Sequence, residues 1–173
     1  SLKFKTGLIL FMNLEIIRAN TRGVAELDWL STRYSFSFAD YYAENRMGFG
    51  ALRVLNEDVI APSSGFDTHS HDNMEIVTIV LSGELEHKDS TGGHGVICED
   101  EVQVMSAGRG VKHTEKNPSE TTPVHLLQIW IHTAKQNIKP RYDQKKISFK
   151  KGLNEIVNGS SELKINQDAK LSI

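Results

Sequence analysis

Two short stretches of this chain carry side chains of the right type and spacing to hold a metal ion. In FDTHSHDNME (Phe66 to Glu75), His69 and His71 stand two apart. In GRGVKHTE (Gly108 to Glu115), His113 and Glu115 repeat that spacing. On a β-strand, residues i and i+2 share a face, so each pair can aim two donors the same way. Three imidazoles and one carboxylate make a mixed nitrogen and oxygen set. It suits iron, manganese, nickel, copper or zinc, and ligand type alone does not choose among them. Such a set leaves coordination positions open to water or substrate, as catalytic metal sites do. A single H-x-H pair arises readily by chance in a chain with seven histidines. Two matched pairs carry more weight, and the bland alternative is loop histidines beside a surface His/Glu pair.

The other histidines, His87, His94, His125 and His132, have no matched partner and are not read as ligands. His125 opens a strand and is expected near the mouth of whatever encloses the site. Glu75, on the same parity as His69 and His71 if the extended geometry holds, is read as an outer partner whose carboxylate orients a histidine N–H. Phe66, Met74, Met105 and Trp130 could line a pocket, although core packing is the commoner role for such residues. Arg109 and Lys112 read as solvated turn charges that could steer an anion.

The elements that must position these residues read as strands. IVTIVLSGELEH (Ile76 to His87) is rich in β-branched residues, with Gly83 marking a turn or bulge. DSTGGHG (Asp89 to Gly95) is a strong turn signal. GVICEDEVQVMSAG reads as two short strands around a polar turn at Glu99 to Glu101. HLLQIWIHT (His125 to Thr133) is apolar on both alternating faces, which suits a strand covered on both sides. A short helix is expected near Ala25 to Leu30, and an extended connector at Pro140 to Tyr142. Short strands between Gly-rich turns argue for an all-β barrel or sandwich. After the linker NGSS (Asn158 to Ser161), ELKINQDAKLSI (Glu162 to Ile173) looks like a new strand.

Length and composition set the outer bounds. The 173 residues suit one domain, or one domain with part of another, and 39% hydrophobic with 24% charged residues suits a globular protein. A net charge of -2 without a basic stripe argues against a nucleic-acid partner. Lys139 to Lys151 (KPRYDQKKISFKK) reads as a solvated edge. The lone cysteine, Cys98, allows no internal disulfide and fits a reducing, cytoplasmic compartment, where it is expected as a buried or turn residue. GLILFM near the N-terminus is too short for a signal or membrane segment, which needs ~20 apolar residues to span. Ser1 is not an initiator, and Met12 is the expected natural start.

HSHDNMEIVTIVLSGELEHKDSTGG followed by DEVQVMSAGRGVKHTE closely resembles the pirin family of the cupin superfamily. The flanks RANTRGVAELDWLSTRYSFSFADYY, RMGFGALRVLNEDVIAP and LQIWIHTAKQNIKPRYDQK match as well, so the resemblance runs from about Ile16 onward. It implies a cupin-type β-barrel (a double-stranded β-helix or jelly roll). Residues 1–15 are then an extension, 16–157 the N-terminal barrel, and 158–173 a linker with the first strand of a second cupin domain. It implies that His69, His71, His113 and Glu115 hold one divalent transition metal, iron first, with nickel, manganese, copper and zinc as alternatives. It also implies a small aromatic or polyphenol substrate: bacterial members are described as quercetinases, which open a flavonol ring with molecular oxygen. Glu115 would be the base. The animal member is described as a nuclear, redox-sensitive transcription cofactor, so a regulatory, non-enzymatic module is the rival reading, and an inactive shortened homologue a third. Ser70 stands where proline is common in the family, a position expected to point outward. The last strand, lacking partners, is expected to pack on the barrel or to pair with a second copy as a homodimer.

Overall fold

A computed structural model describes residues 16–173; GLILFM and the expectations attached to 1–15 lie outside the described residues. A 3-10 turn (Ala19–Thr21) precedes β1 (Gly23–Glu26), β2 (Leu30–Tyr34), β3 (Leu52–Ile60), β4 (Gly65–His71) and β5 (Met74–Ser82). Then come β6 (Glu84–Asp89), β7 (His94–Cys98), β8 (Glu101–Ser106) and β9 (Val111–Lys116). The chain closes with β10 (Val124–His132), β11 (Arg141–Lys146), β12 (Glu155–Val157) and β13 (Leu171–Ser172). Two antiparallel sheets face each other, one in the order β1-β2-β3-β10-β5-β8-β11 and the other β4-β9-β6-β7. Chain segments that leave one sheet for the other close the pair into a barrel. Gly83 makes one such crossing: its φ of 79° and a Cβ position 2.7 Å from the Pro123 carbonyl oxygen leave no room for a side chain.

Strand parity sorts the large sheet into two buried faces. Val77, Ile79, Val102, Val104, Ile129 and Ile131 face outward, under a cover made by Ile156, Val157, Leu163 and Ile165. The opposite face looks into the barrel and is layered. Ile60, Val80, Leu85, Ile97 and Leu126 pack at one end. Ile76, Met105 and Val111, with Trp130 against them, pack at the other. Between these apolar layers runs a polar row set by register: Asn56 opposite Gln128, Gln128 opposite Thr78, and Thr78 opposite Gln103. All four are buried. Buried polar groups of this kind need partners, and Asn56 and Gln128 from this row form part of the wall of the site.

Three expectations are corrected. Ala25 to Leu30 forms no helix but the turn of the β1–β2 hairpin, closed by reciprocal backbone bonds between Leu27 and Leu30. The strands on either side bury alternate residues, and Leu27 and Asp28 at the turn are exposed, a pattern with a period of two that a helix cannot satisfy. Pro140 precedes β11, and Arg141 and Tyr142 open that strand, which pairs with β8 from Arg141 opposite Ser106 to Lys146 opposite Glu101. The basic stretch is therefore a sheet edge, where lysines discourage pairing with another chain. Glu162 to Ile173 is strand only at Leu171–Ser172. Leu163 and Ile165 are buried in alternation, but the Asn158 side chain, not a ladder, satisfies the backbone at Ile165, Gln167 and Ala169. The segment lies on the barrel, with Leu163 and Ile165 packed against the outward face of the large sheet.

Candidate metal centre

Strands β4 and β9 lie side by side, with His69 directly opposite His113 and His71 opposite Val111. Their ring centroids are 4.2 Å apart for His69 and His113, and 4.9 Å for His71 from each of the other two. One ring nitrogen from each residue lies within 4.8 Å of the others, which is the geometry of three donors around a common centre. A register shift between Phe66 and His69 brings Phe66 opposite Glu115. That bulge turns Phe66 onto the same wall as His69, a re-aiming for which bulges are used. Gly65 permits the close approach, since a Cβ there would sit 2.3 Å from the Glu115 carbonyl oxygen.

Glu115 shares the inward face of β9 with His113 and is 3% exposed. Its carboxylate lies within 4.8 Å of ring nitrogens of both His113 and His87, a second grouping that shares His113 with the first. Both oxygens accept from the Gln128 side-chain amide, at 2.8 and 2.9 Å. Burial pushes its carboxyl up to about 7, against the Gln128 hydrogen bonds. Burial also holds His71 neutral, down to about 4, and His113, down to about 2, with the neighbouring imidazoles acting in the same sense.

These features fit a divalent transition metal. His69 Nδ1 is 2.8 Å from the Asp67 carbonyl, an acceptor only, so Nδ1 carries the proton and Nε2 offers its lone pair. His113 Nε2 is buried and has no hydrogen-bond partner, a costly omission for a polar atom unless another group takes the lone pair.

Beside the imidazoles lies a cavity of about 250 Å³, bounded by Phe38, Phe66, Trp130, His69, Glu115, Gln128, Asn56 and Asp58. Its aromatic wall is built edge to face: Phe38 meets Trp130 at 5.3 Å, and Trp130 meets His71 at 4.8 Å. Of the residues read as pocket-lining, Phe66 and Trp130 take that role, whereas Met105 is fully buried in the core layer. Arg109 and Lys112 border a separate open groove on the far side of His71.

Several readings change. Glu75 is remote from the imidazoles: fully buried on β5, it accepts from Ser106 Oγ and the Asn166 backbone N–H. His71 and Glu75 lie on different sheets, so a shared parity could not survive the turn at Asp72–Asn73. Cys98 is exposed at the end of β7. His125 pairs with Glu57 at 3.0 Å and stays apart from the cluster. His87, set aside as unpartnered, is wholly buried with Nδ1 3.3 Å from His113 Nδ1. Its signal was parity: Leu85 and His87 must share the inward face of β6. Gln128 carried the same mark between Leu126 and Trp130.

Asp58 gives a pH test of this polar interior. Burial raises its carboxyl to about 6, with the Glu57 charge adding to the effect. The folded chain therefore keeps a proton that the unfolded chain has lost, and stability falls as pH rises through about 6. Asp58→Asn is expected to stabilise the protein at pH 8 by about 2–3 kcal/mol, with the gain vanishing towards pH 4. Urea unfolding across that range measures it; a difference that does not vary with pH would refute the assignment.

A barrel of two antiparallel sheets with inward-facing histidines on adjacent strands defines a cupin-type protein with a metal-binding pattern of side chains. Within that class the chain belongs to the pirin family, whose model, described as Pirin, matches residues 17–131. It is 46% identical over 157 residues to an Escherichia coli (strain K12) protein named quercetin 2,3-dioxygenase, covering 89% of this chain and 68% of that protein. A pirin-like protein of Caulobacter vibrioides is 45% identical over 131 residues, covering 75% of this chain and 55% of the relative. The crystal structure of the bacterial pirin YhhW from Escherichia coli in complex with nickel(II) superposes with a TM-score of 0.84 at 45% identity, covering 90% of this chain and 68% of that one. No helix among the described residues is long and apolar enough to cross a membrane.

Proposed function

We propose that this protein is a metal-dependent dioxygenase that opens the ring of a flavonol with molecular oxygen, using His69, His71, His113 and Glu115. The observation that carries this reading is the convergence of three ring nitrogens within 4.8 Å beside an aromatic-walled cavity. The 46% identical relative named quercetin 2,3-dioxygenase supports the substrate class. Iron is the metal we assign from the family resemblance, with nickel first among the alternatives because a 45% identical relative is found in complex with it. Bound there, the metal supplies Lewis acidity towards a substrate hydroxyl and an oxygen-reactive centre.

The chain's own residues do the rest. His69, His71 and His113 present donors from two hydrogen-bonded strands, a rigid platform. Phe38, Phe66 and Trp130 take the flat face of an aromatic ring and exclude water. Glu115, on the cavity wall and held by Gln128, is placed to accept the proton of the hydroxyl that approaches the imidazoles. Residues 158–173 we read as the opening of a second domain, and the lone cysteine supports a reducing, cytoplasmic setting.

The test is oxygen uptake. Protein loaded separately with iron, nickel, manganese and copper is expected to consume oxygen in step with loss of flavonol absorbance for at least one metal. No uptake with any metal at full occupancy would overturn the proposal.

A further inference from the structure

Behind His113 lies a chain of hydrogen bonds that ends on a buried carboxylate. Asp89 Oδ1 accepts from the Thr91 backbone N–H at 2.7 Å, the Thr91 hydroxyl at 2.7 Å and the Gly93 N–H at 3.0 Å. Its other oxygen, Oδ2, meets His87 Nε2 at 3.2 Å, with both side chains sealed from solvent. His87 is clamped further by stacking on Tyr142, 4.8 Å away and 27° from parallel. The far nitrogen of the His87 ring, Nδ1, lies 3.3 Å from His113 Nδ1.

Proton positions along this chain follow from donor and acceptor rules. A carboxylate with three donors on one oxygen only accepts, so His87 Nε2 carries the hydrogen. His87 Nδ1 is then the acceptor, and His113 Nδ1 must donate to it. The remaining lone pair of His113 is on Nε2, the buried atom that has no partner in the protein.

We infer that Asp89 and His87 are positioning residues that fix the tautomer of His113, so that its Nε2 lone pair faces the metal. The inference rests on the metal-site reading given above, in that it assigns His113 as a ligand. It explains why a histidine and an aspartate are buried on β6 where an apolar pair would pack more cheaply. It also parallels His69, whose Nδ1–H is taken by the Asp67 carbonyl. Outer partners of this sort orient a ligand and raise its basicity, and their loss typically costs 10–100-fold in metal affinity.

Asp89→Asn tests the relay with almost no change of shape. The three donors on Oδ1 hold the amide oxygen in place, so the new NH₂ group occupies the Oδ2 position and points at His87 Nε2. His87 must then carry its proton on Nδ1 and donate to His113, which pushes the His113 proton onto Nε2. Long-range ¹⁵N–¹H correlation spectra of the metal-free protein read this directly. The wild type is expected to show a protonated His113 Nδ1, and Asp89→Asn a protonated Nε2. Nickel(II) affinity by calorimetry is expected to fall about 10–100-fold in Asp89→Asn. His87→Gln is expected to bind more tightly than Asp89→Asn, because its amide gives an N–H to Asp89 and a carbonyl to His113. A wild-type tautomer in Asp89→Asn, or a reversed tautomer with unchanged affinity, would overturn the inference. Should the wild type bind no nickel, the metal reading falls, while the tautomer spectra still decide whether the relay sets the His113 proton.

Discussion

His113→Ala is expected to abolish metal binding, with affinity falling more than 100-fold and flavonol-dependent oxygen uptake dropping to the level without enzyme. The size of the effect follows from position. Partners one shell out already cost about 10–100-fold when lost, and His113 is the shared member of both ligand groupings, bonded on one side to His87 and facing His69 across the strand pair. Its removal takes away the one residue common to both groupings, leaving His69 and His71 on one strand and Glu115 without the imidazole that links it to them. The surface histidines provide the contrast: His94 is exposed near Glu86, so His94→Ala should leave stoichiometry and affinity unchanged. Elemental analysis of both variants purified without chelator, followed by nickel titration, reads the difference. Stoichiometric metal in His113→Ala would mean that the ion sits elsewhere and that the cluster is a set of packed histidines.

The site was legible in the sequence to the extent that it follows strand parity. His69 and His71, and His113 and Glu115, each sit two apart, and on adjacent strands that spacing brings the three imidazoles together. Which strands become neighbours does not follow from parity, and here the resemblance to a known family supplied the answer. Two features arise only in the folded chain. The bulge between Phe66 and His69 leaves no mark in residue type, yet it decides that Phe66 lines the cavity. The His87–Asp89 pair reads as ordinary strand and turn polarity until the barrel closes over it. Glu75 failed for the opposite reason. Its spacing from His71 suggested one face, but the intervening turn carries the chain into the other sheet, and alternation has no meaning across a turn. The helix expected at Ala25 to Leu30 failed because local propensity is a weak prior against a ladder: Leu30 to Tyr34 pairs with Ile60 to Asn56, and that pairing settles the conformation.

The outer cover of the barrel is expected to be as necessary to the fold as its interior, and Ile156→Ala measures this. Ile156 is fully buried against the outward face of the large sheet. Truncating a buried isoleucine costs about 2–5 kcal/mol through lost burial and the cavity left behind, a large share of the ~5–15 kcal/mol that holds a typical domain together. The loss should be global, because the strands beneath Ile156 serve both faces. Val77 and Ile79 meet the cover, whereas Ile76 and Thr78, their neighbours on β5, face the interior beside the candidate site. Glu75 ties the cover down at a second point, holding Ser106 Oγ at 2.6 Å and the Asn166 N–H at 3.0 Å with one oxygen. Urea unfolding of Ile156→Ala should therefore show a single transition at lower denaturant with unchanged slope. Hydrogen exchange should show β5, β8 and β10 losing protection together with residues 155–173. If only 155–173 lost protection while the sheet kept its own, the segment would be an appendage on a self-sufficient barrel. The apolar outward face of β5, β8 and β10 would then have to be stable in water without its cover, which the physics of burial opposes.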